Sequence, residues 1–363
     1  MTDKNRYQDK SRGMLFGLAI GDALGAPVEF FHSSFEIEEM GDKLAHFHKN
    51  TRAPEGVWTD DTSMALCIAD SLIAKGGYDS YDIMNRFKEW CYSDYRKHPQ
   101  APVDVGMQTL RALDDFEKSP VVKMDTPKTE SAGNGAIMRL APVIIANTFA
   151  NKKYPTLKEA YAQGSLVADP EDDDGEFIKK ENIFPTIKMA ELSCRETHDS
   201  IAACAVTEMF ASVLYCLLHG LEKHNAVTYA SRWIENKYDD FYLDNGDLLV
   251  GRVLKKSDYL FRDLGGYIVD TFAIAVWGLL NFKSFEEGMM AVICLGGDAD
   301  TNAACYGQLA GAYYGYKKIP KEWRDGVYLA DELIEVADEL LRMPECPIIR
   351  TRFEDDEHFK KLS

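Results

Sequence analysis

Hydrophobic residues recur at the three- and four-residue spacing of amphipathic helices along most of the chain, whereas alternating, strand-like runs are scarce. Ala, Leu, Met, Glu and Lys dominate these periodic segments, which further favours helices. The pattern predicts an all-α protein in which many helices surround one core. The predicted helices are Arg12–Leu24, Thr62–Ala74, Asp79–Cys91, Val105–Phe116, Gly135–Asn147, Leu157–Val167, Ser200–Leu218, Tyr267–Leu280, Phe285–Cys294, Thr301–Tyr316 and Leu329–Leu341.

The whole chain is predicted to form a single domain, because it has no repeat of fixed period and no Gly/Ser- or Pro-rich linker. The core is expected at about residues 12–316, followed by a helical segment at 320–363. Two acidic insertions are expected near residues 167–185 and 236–262.

Acidic residues dominate the charge of the protein. The 363 residues include 41 Lys and Arg against 59 Asp and Glu, a net charge of −18. We therefore expect no direct binding of nucleic acid, since its phosphates would be repelled. The densest acidic runs, Asp169–Glu176 and Tyr238–Asp247, are typical of solvated loops. The alternative for both runs is a rim that binds a basic protein partner.

Compartment and membrane association are also predicted from composition. The first residues are polar, which is not typical of a signal peptide. The apolar stretch Ile268–Leu280 carries Asp270 and is too short to span a bilayer. The cysteines form no CxxC pair, and we expect reduced core thiols in a cytoplasmic protein. The cysteines assigned to the core are Cys67, Cys204, Cys216, Cys294 and Cys305.

Two predicted helices begin with more acid than a helix start needs. The sequence WTDDTS places Asp60 and Asp61 before one helix, and LGGDADT places Asp298 and Asp300 before another. Each motif on its own could be a helix cap, because one carboxylate satisfies the free N–H groups. Adjacent carboxylates repel each other, however, and favour a bound cation.

A pair of divalent cations would balance this charge. Together with Glu29, the four aspartates carry five formal negative charges, which two divalent ions nearly neutralise. The motifs offer only carboxylate and hydroxyl oxygens, and such hard ligands suit Mg²⁺ or Mn²⁺ rather than zinc.

Small residues predict close helix packing near both motifs. Gly17, Gly21 and Gly25 share one face of the first helix, and Pro27 ends that helix. The helix after Asp300 has a comparable small face, which should let a neighbouring helix approach closely. That face consists of Ala303, Ala304, Gly307, Ala310 and Gly311.

The stretch SAGNGAIMRLAPV, residues 131–143, carries glycine before an apolar helical pattern. Backbone N–H groups at such a helix start can bind an anion, although glycine-rich loops are common. Arg139 either assists such a site or pairs within the fold. His198 is either a capping or core histidine or a donor to a substrate oxygen.

These motifs, in this order, resemble the ADP-ribosylglycohydrolase family, and within it the bacterial dinitrogenase-reductase-activating glycohydrolases. The similarity rests on GDALGAPVEF, WTDDTSMAL, GNGAIMRLAPV, TH and LGGDADTNAA, and it spans roughly residues 12–316. It implies an all-α fold with a dinuclear Mg²⁺ or Mn²⁺ centre. It also implies hydrolysis of ADP-ribose from protein side chains, most often arginine.

The resemblance implies a role for individual residues. Glu29, Asp60, Asp298 and Asp300 are implied to be catalytic, with Glu29 a mobile acid that ligates metal or acts as a base. The implied metal ligands are Thr59, Asp60, Asp61, Asp298, Asp300, Thr301 and Glu29. The implied substrate contacts are Ser131, Gly133, Asn134 and Gly135 around the diphosphate, His198 near the distal ribose or phosphate, Tyr267 beside adenine and Asp104 near the leaving side chain.

The expected substrate is therefore an ADP-ribosylated protein, and the expected product is ADP-ribose, in a regulatory or toxin-antidote role. The alternatives are hydrolysis of serine-linked or O-acetyl-ADP-ribose, and a silent crystallin-like protein that binds ADP-ribose. A metal-dependent phosphohydrolase acting on the diphosphate is a further alternative.

Overall fold

The computed structural model describes residues 3–30, 45–47, 54–100, 104–123, 132–148, 180–237 and 265–354. These residues are predominantly helical, which confirms the predicted all-α class. The helices are α1 (Asp3–Gly25), α2 (Asp60–Lys75), α3 (Ser80–Tyr92), α4 (Met107–Lys118), α5 (Ala141–Ala146), α6 (Lys180–Arg195), α7 (Ile201–Leu218), α8 (Lys223–Lys237), α9 (Ile268–Asn281), α10 (Phe285–Ile293), α11 (Ala299–Tyr314), α12 (Lys321–Gly326) and α13 (Ala330–Arg342).

Most predicted helices are found, with some differences in extent. The helix predicted at 135–147 is reduced to α5, because the Gly-rich segment before it forms a 3₁₀ turn, Asn134–Ala136. Helices α6, α8 and α12 were not predicted, and Pro185 inside α6 disguises its pattern. The helix predicted at Leu157–Val167 and both acidic runs lie outside the described residues.

Helices α1 and α11 pack with their backbones almost in contact. A Cβ atom on Gly17 would lie 2.0 Å from Gly307 O, and one on Gly307 would lie 1.9 Å from Gly17 O. Gly21 meets Ala303 in the same way, where a Cβ would lie 2.2 Å from the carbonyl oxygen. The prediction that small faces allow close approach is confirmed, and the two faces are partners. This contact brings the C-terminal end of α1 beside the start of α11.

Helix α7 lies in the centre of the core. By length and composition it could cross a membrane, but 89% of it is buried inside the protein. A buried helix that is apolar on all sides is typical of the interior of a large globular protein. Pro27 follows α1 as predicted, in the 3₁₀ turn Ala26–Val28.

Among the described residues, four short strands form two parallel pairs, β1 (Tyr78–Asp79) with β3 (Ile348–Arg350) and β2 (Val122–Lys123) with β4 (Phe353–Glu354). The segment expected to be helical from residue 320 onwards therefore contains strands after α13. These pairs fasten the C-terminal strands to segments that flank α3 and α4.

All eight cysteines are free thiols, as expected. Four of the five assigned to the core are buried, but that prediction is wrong for Cys294, which is exposed. Cys294 ends α10 at the C-cap, where the helix no longer faces the core.

Candidate metal centre

The C-terminal end of α1 meets the first turns of α2 and α11 at the candidate site. Asp22, in the last turn of α1, is fully buried. Its Oδ1 accepts hydrogen bonds from Thr59 N and Thr59 Oγ1, both at 2.8 Å. Its Oδ2 accepts from Thr62 N at 3.0 Å and from Thr62 Oγ1 at 2.7 Å. Asp22 therefore caps α2 from another helix, and the Thr59 side chain makes no capping bond of its own.

Two triplets of carboxylates converge at this junction. In each triplet, one oxygen per residue lies within 4.8 Å of the other two. The first triplet is Asp22, Asp61 and Asp300, and the second is Glu29, Asp298 and Asp300. Because Asp300 belongs to both, the triplets mark two neighbouring positions that could each hold a cation.

The electrostatics of the first triplet fit a cation. Both carboxylate oxygens of Asp61 are buried and have no hydrogen-bond partner among the described residues. Burial raises the pKa of the Asp61 carboxyl well above its usual value, and the charge of Asp22 raises it further. Burial and the charge of Asp298 do the same for the pKa of Asp300. Buried carboxylates this close are stable in the ionised form only beside positive charge, and their oxygens are the ligands that Mg²⁺ and Mn²⁺ prefer.

Asp60 and Asp104 lie at the same end of the site. Asp60 is the first residue of α2 and is half-buried, as is Asp104, which precedes α4. Burial raises the pKa of Asp60 well above its usual value, and the next cause is the negative charge of Asp104. The structure thus brings Asp104 close enough to Asp60 to influence the ionisation of that carboxyl.

Glu29 is held by an unusual turn. The following residue, Phe30, has a φ of +62°, a conformation that bulky residues rarely adopt. Its N–H donates to Gly297 O at 2.5 Å, which ties this turn to the loop before α11. Gly296 and Gly297 have φ values of +73° and +67°, so the two glycines provide the left-handed turn that leads into Asp298.

Asn134 connects the glycine loop to the carboxylates. Its Nδ2 donates to Asp298 Oδ2 at 2.8 Å and to Thr271 Oγ1 at 3.0 Å. Its backbone N–H donates to Gly266 O at 3.0 Å. The side-chain amide thus positions a predicted metal ligand, whereas the resemblance implied contact with the diphosphate.

Gly133, Gly135, Tyr267 and His198 lie close together. Gly133 forms an isolated antiparallel bridge with Tyr267, which places the Tyr267 backbone beside the loop. A Cβ on Gly135 would lie 2.7 Å from His198 Cε1, so only glycine leaves room for this buried imidazole. Ser131 lies outside the described residues.

The structure therefore gathers the predicted residues at one site, except Ser131. Their implied roles in catalysis and binding stay predictions. The sequence reasoning missed Asp22, although the signal was present: a single carboxylate within the apolar stretch LAIGDALG has to find a buried partner. The aspartates assigned as ligands all lie at helix starts, whereas Asp22 is near a helix end.

Comparison with known proteins agrees with this geometry. A family model described as ADP-ribosylglycohydrolase matches residues 3–172 and 180–347. The chain is 30% identical over 338 residues to the ADP-ribosylarginine hydrolase Tri1 of Serratia proteamaculans (strain 568), covering 92% of this chain and 80% of that protein. It is 28% identical over 321 residues to the ADP-ribosyl-[dinitrogen reductase] glycohydrolase of Rhodospirillum rubrum, covering 87% and 89%.

A solved structure of an ADP-ribosylglycohydrolase-related protein complex has the same fold. It superposes with a TM-score of 0.67 at 31% identity, covering 94% of this chain and 99% of that one. Since the family model also matches most of the sequence, the protein belongs to the ADP-ribosylglycohydrolase family.

Proposed function

We propose that the protein is a metal-dependent hydrolase that removes ADP-ribose from arginine side chains of proteins. The observation that carries the proposal is the pair of carboxylate triplets that share Asp300 beside the glycine loop. The relative named ADP-ribosylarginine hydrolase supports the arginine linkage, and the relative named ADP-ribosyl-[dinitrogen reductase] glycohydrolase supports an ADP-ribosylated protein as substrate.

The residues of both triplets would hold two Mg²⁺ ions, with Mn²⁺ as the other candidate, and Thr59, Asp60 and Thr301 would complete the ligand set. Ions bound there would supply Lewis-acid polarisation and help to orient the ribose hydroxyls. The carboxylates of this chain favour the positive charge that develops at the anomeric carbon as the glycosidic bond breaks.

Residues around the metal centre would accept a proton and bind the substrate. Glu29 is half-buried at the edge of the second triplet, where a carboxylate can accept a proton from the attacking water. The Gly133–Gly135 backbone would bind the diphosphate, and Tyr267 would flank the adenine. Asp104 would pair with the guanidinium of the leaving arginine, which carboxylates bind in a bidentate manner.

The reaction is tested by measuring release of ADP-ribose from an arginine-ADP-ribosylated protein in Mg²⁺, Mn²⁺ or EDTA. We expect metal-dependent release of intact ADP-ribose, and its loss in Asp300→Asn, because that residue serves both triplets. The matched control is Asp115→Asn, an exposed carboxylate on α4. Release that persists in EDTA, or a fully active Asp300→Asn, would contradict the proposal. Release of AMP and ribose 5-phosphate from ADP-ribose would indicate a phosphohydrolase acting on the diphosphate instead.

The arginine linkage is tested at Asp104. Asp104→Ala should reduce hydrolysis of the arginine-linked substrate by about tenfold more than hydrolysis of O-acetyl-ADP-ribose, since only the former has a guanidinium to lose. Asp115→Asn should leave both rates unchanged. An equal loss on both substrates would remove this role from Asp104 and favour another linkage.

A cytoplasmic location, a basic protein partner at the acidic runs and a single-domain organisation stay predictions. The free state of all eight thiols suits a reducing compartment.

A further inference from the structure

A buried arginine lies directly behind the glycine loop. Arg139 has no exposed surface, although it follows the 3₁₀ turn Asn134–Ala136 by only three residues. Its guanidinium carbon lies 4.9 Å from the centre of the Phe87 ring, a cation–π contact. Its Nη2 donates to Ser193 O at 3.1 Å and to Thr197 Oγ1 at 2.6 Å. Burial lowers the pKa of Arg139 to about 10, so the group stays charged at neutral pH.

The Thr197 hydroxyl links this cation to His198. A guanidinium has only donors, so the Thr197 oxygen must accept from Arg139. The same oxygen lies 2.7 Å from His198 Nδ1. The Thr197 hydroxyl has a single proton to donate. Among the described residues, the acceptor within hydrogen-bond distance of that proton is His198 Nδ1. We assign this proton to the bond with Nδ1, which then carries none of its own.

The other ring nitrogen faces the loop. A neutral imidazole with an unprotonated Nδ1 carries its proton on Nε2. A Cβ placed on Gly133 or on Gly135 would lie 3.1 Å from Nε2. Nε2 thus lies beside the backbone that is proposed to bind the diphosphate.

Burial keeps this imidazole neutral. His198 is only 3% exposed, and burial together with the charge of Arg139 lowers its pKa to about 3. The ring is therefore a fixed neutral donor across the physiological pH range, whereas an exposed histidine would exist as a mixture of two tautomers and a cation.

We propose that Arg139 and Thr197 are positioning residues that hold His198 in the Nε2–H tautomer, so that it donates a hydrogen bond to the anionic part of the ligand bound at the glycine loop. The identity of that ligand as ADP-ribose rests on the proposed function, whereas the tautomer does not. The arrangement would also explain how a protein with a charge of −18 presents a favourable field to a diphosphate: the positive charge lies behind the loop and not on the surface.

The direct test is ¹⁵N NMR of the histidine side chains in the full-length protein without ligand. His198 is assigned by the cross-peaks that disappear in His198→Gln. We expect a pyridine-type Nδ1 and a pyrrole-type Nε2, unchanged between pH 5 and pH 8. A pyrrole-type Nδ1, or a ring that titrates in this range, would overturn the proposal without any variant.

Variants of Thr197 test the link. Thr197→Val removes the hydroxyl at nearly constant volume and should abolish the single-tautomer spectrum. It should also weaken ADP-ribose binding by about tenfold in calorimetry, as expected for one well-placed hydrogen bond. Thr197→Ser restores the hydroxyl and should restore both properties.

The matched control is Thr186→Val on α6, because the hydroxyl of this buried threonine has no hydrogen-bond partner within the part of the chain that the structure describes. It should change neither the tautomer nor the affinity. A folded Thr197→Val protein with the wild-type spectrum and affinity would overturn the proposal. Lack of hydrolase activity alongside the expected spectrum and Thr197 effects would overturn the proposed function alone.

Discussion

Replacement of Gly17 by alanine should separate α1 from α11 and thereby damage the carboxylate cluster. The added Cβ would lie 2.0 Å from Gly307 O, whereas ordinary contacts begin near 3.4 Å. The obstructing atom, Gly307 O, belongs to the backbone and cannot rotate away as a side chain can. The two helices must therefore move apart by about 1.4 Å, the difference between these two distances.

Gly17→Ala should considerably lower the free energy of unfolding. Over-packing of a core typically costs about 1–3 kcal/mol. Because here a rigid helix must move as a unit, we expect a loss near the upper end, about 3 kcal/mol. The same movement draws Asp22 on α1 away from Asp300 on α11, whose oxygens now lie within 4.8 Å of each other. Affinity for Mn²⁺ should then fall by at least tenfold.

Urea unfolding of the metal-free protein measures the first effect, and calorimetric titration with Mn²⁺ measures the second. Gly106→Ala is the control, since its Cβ would meet nothing within 4 Å and its φ is −60°. The double variant Gly17→Ala/Gly307→Ala should cost clearly less than the sum of the single variants, because one separation relieves both clashes. If Gly17→Ala is as stable as the Gly106→Ala control, the close packing of these helices is not what holds the site together.

Three further outcomes are expected. Asp22→Asn should lower the affinity for Mn²⁺ by about tenfold, because an amide carries no charge and keeps only one acceptor oxygen for Thr59 and Thr62. If calorimetry gives the wild-type affinity for this variant, Asp22 does not help to bind the metal. The carboxyl pKa values of Asp61 and Asp300 are raised in the folded protein, so without metal these groups stabilise the fold at low pH and lose that effect as the pH rises. Mg²⁺ should therefore raise the melting temperature more at pH 8 than at pH 5. Equal increases at the two pH values would contradict this expectation. Burial raises the pKa of Glu196 from 4.5 to about 7, so the stability that this group contributes is full below pH 4.5 and is lost as the pH rises through 7. Over this range, the free energy of unfolding of Glu196→Gln should increase progressively relative to that of the wild type. A difference that stays constant with pH would refute the assignment.

The sequence alone determined the class of fold and most of the site. Hydrophobic periodicity located the principal helices, because a helix that packs on a core must repeat its apolar residues every three to four positions. Two acidic helix starts identified Asp61 and Asp300, since repelling carboxylates are costly without a cation. The glycine faces predicted a close helix contact from residue size alone.

Tertiary structure decided which groups complete the site and how they are held. Asp22, Thr59 and Thr62 form one hydrogen-bonded unit across two helices. The spacing of residues along the sequence does not predict this contact. Asn134 reaches Asp298 across 164 residues of chain, so its role as an anchor for a carboxylate follows only from folding. The same is true of the Arg139–Thr197 pair: a hydrogen bond depends on distances of a few tenths of an ångström, which only the packed helices fix.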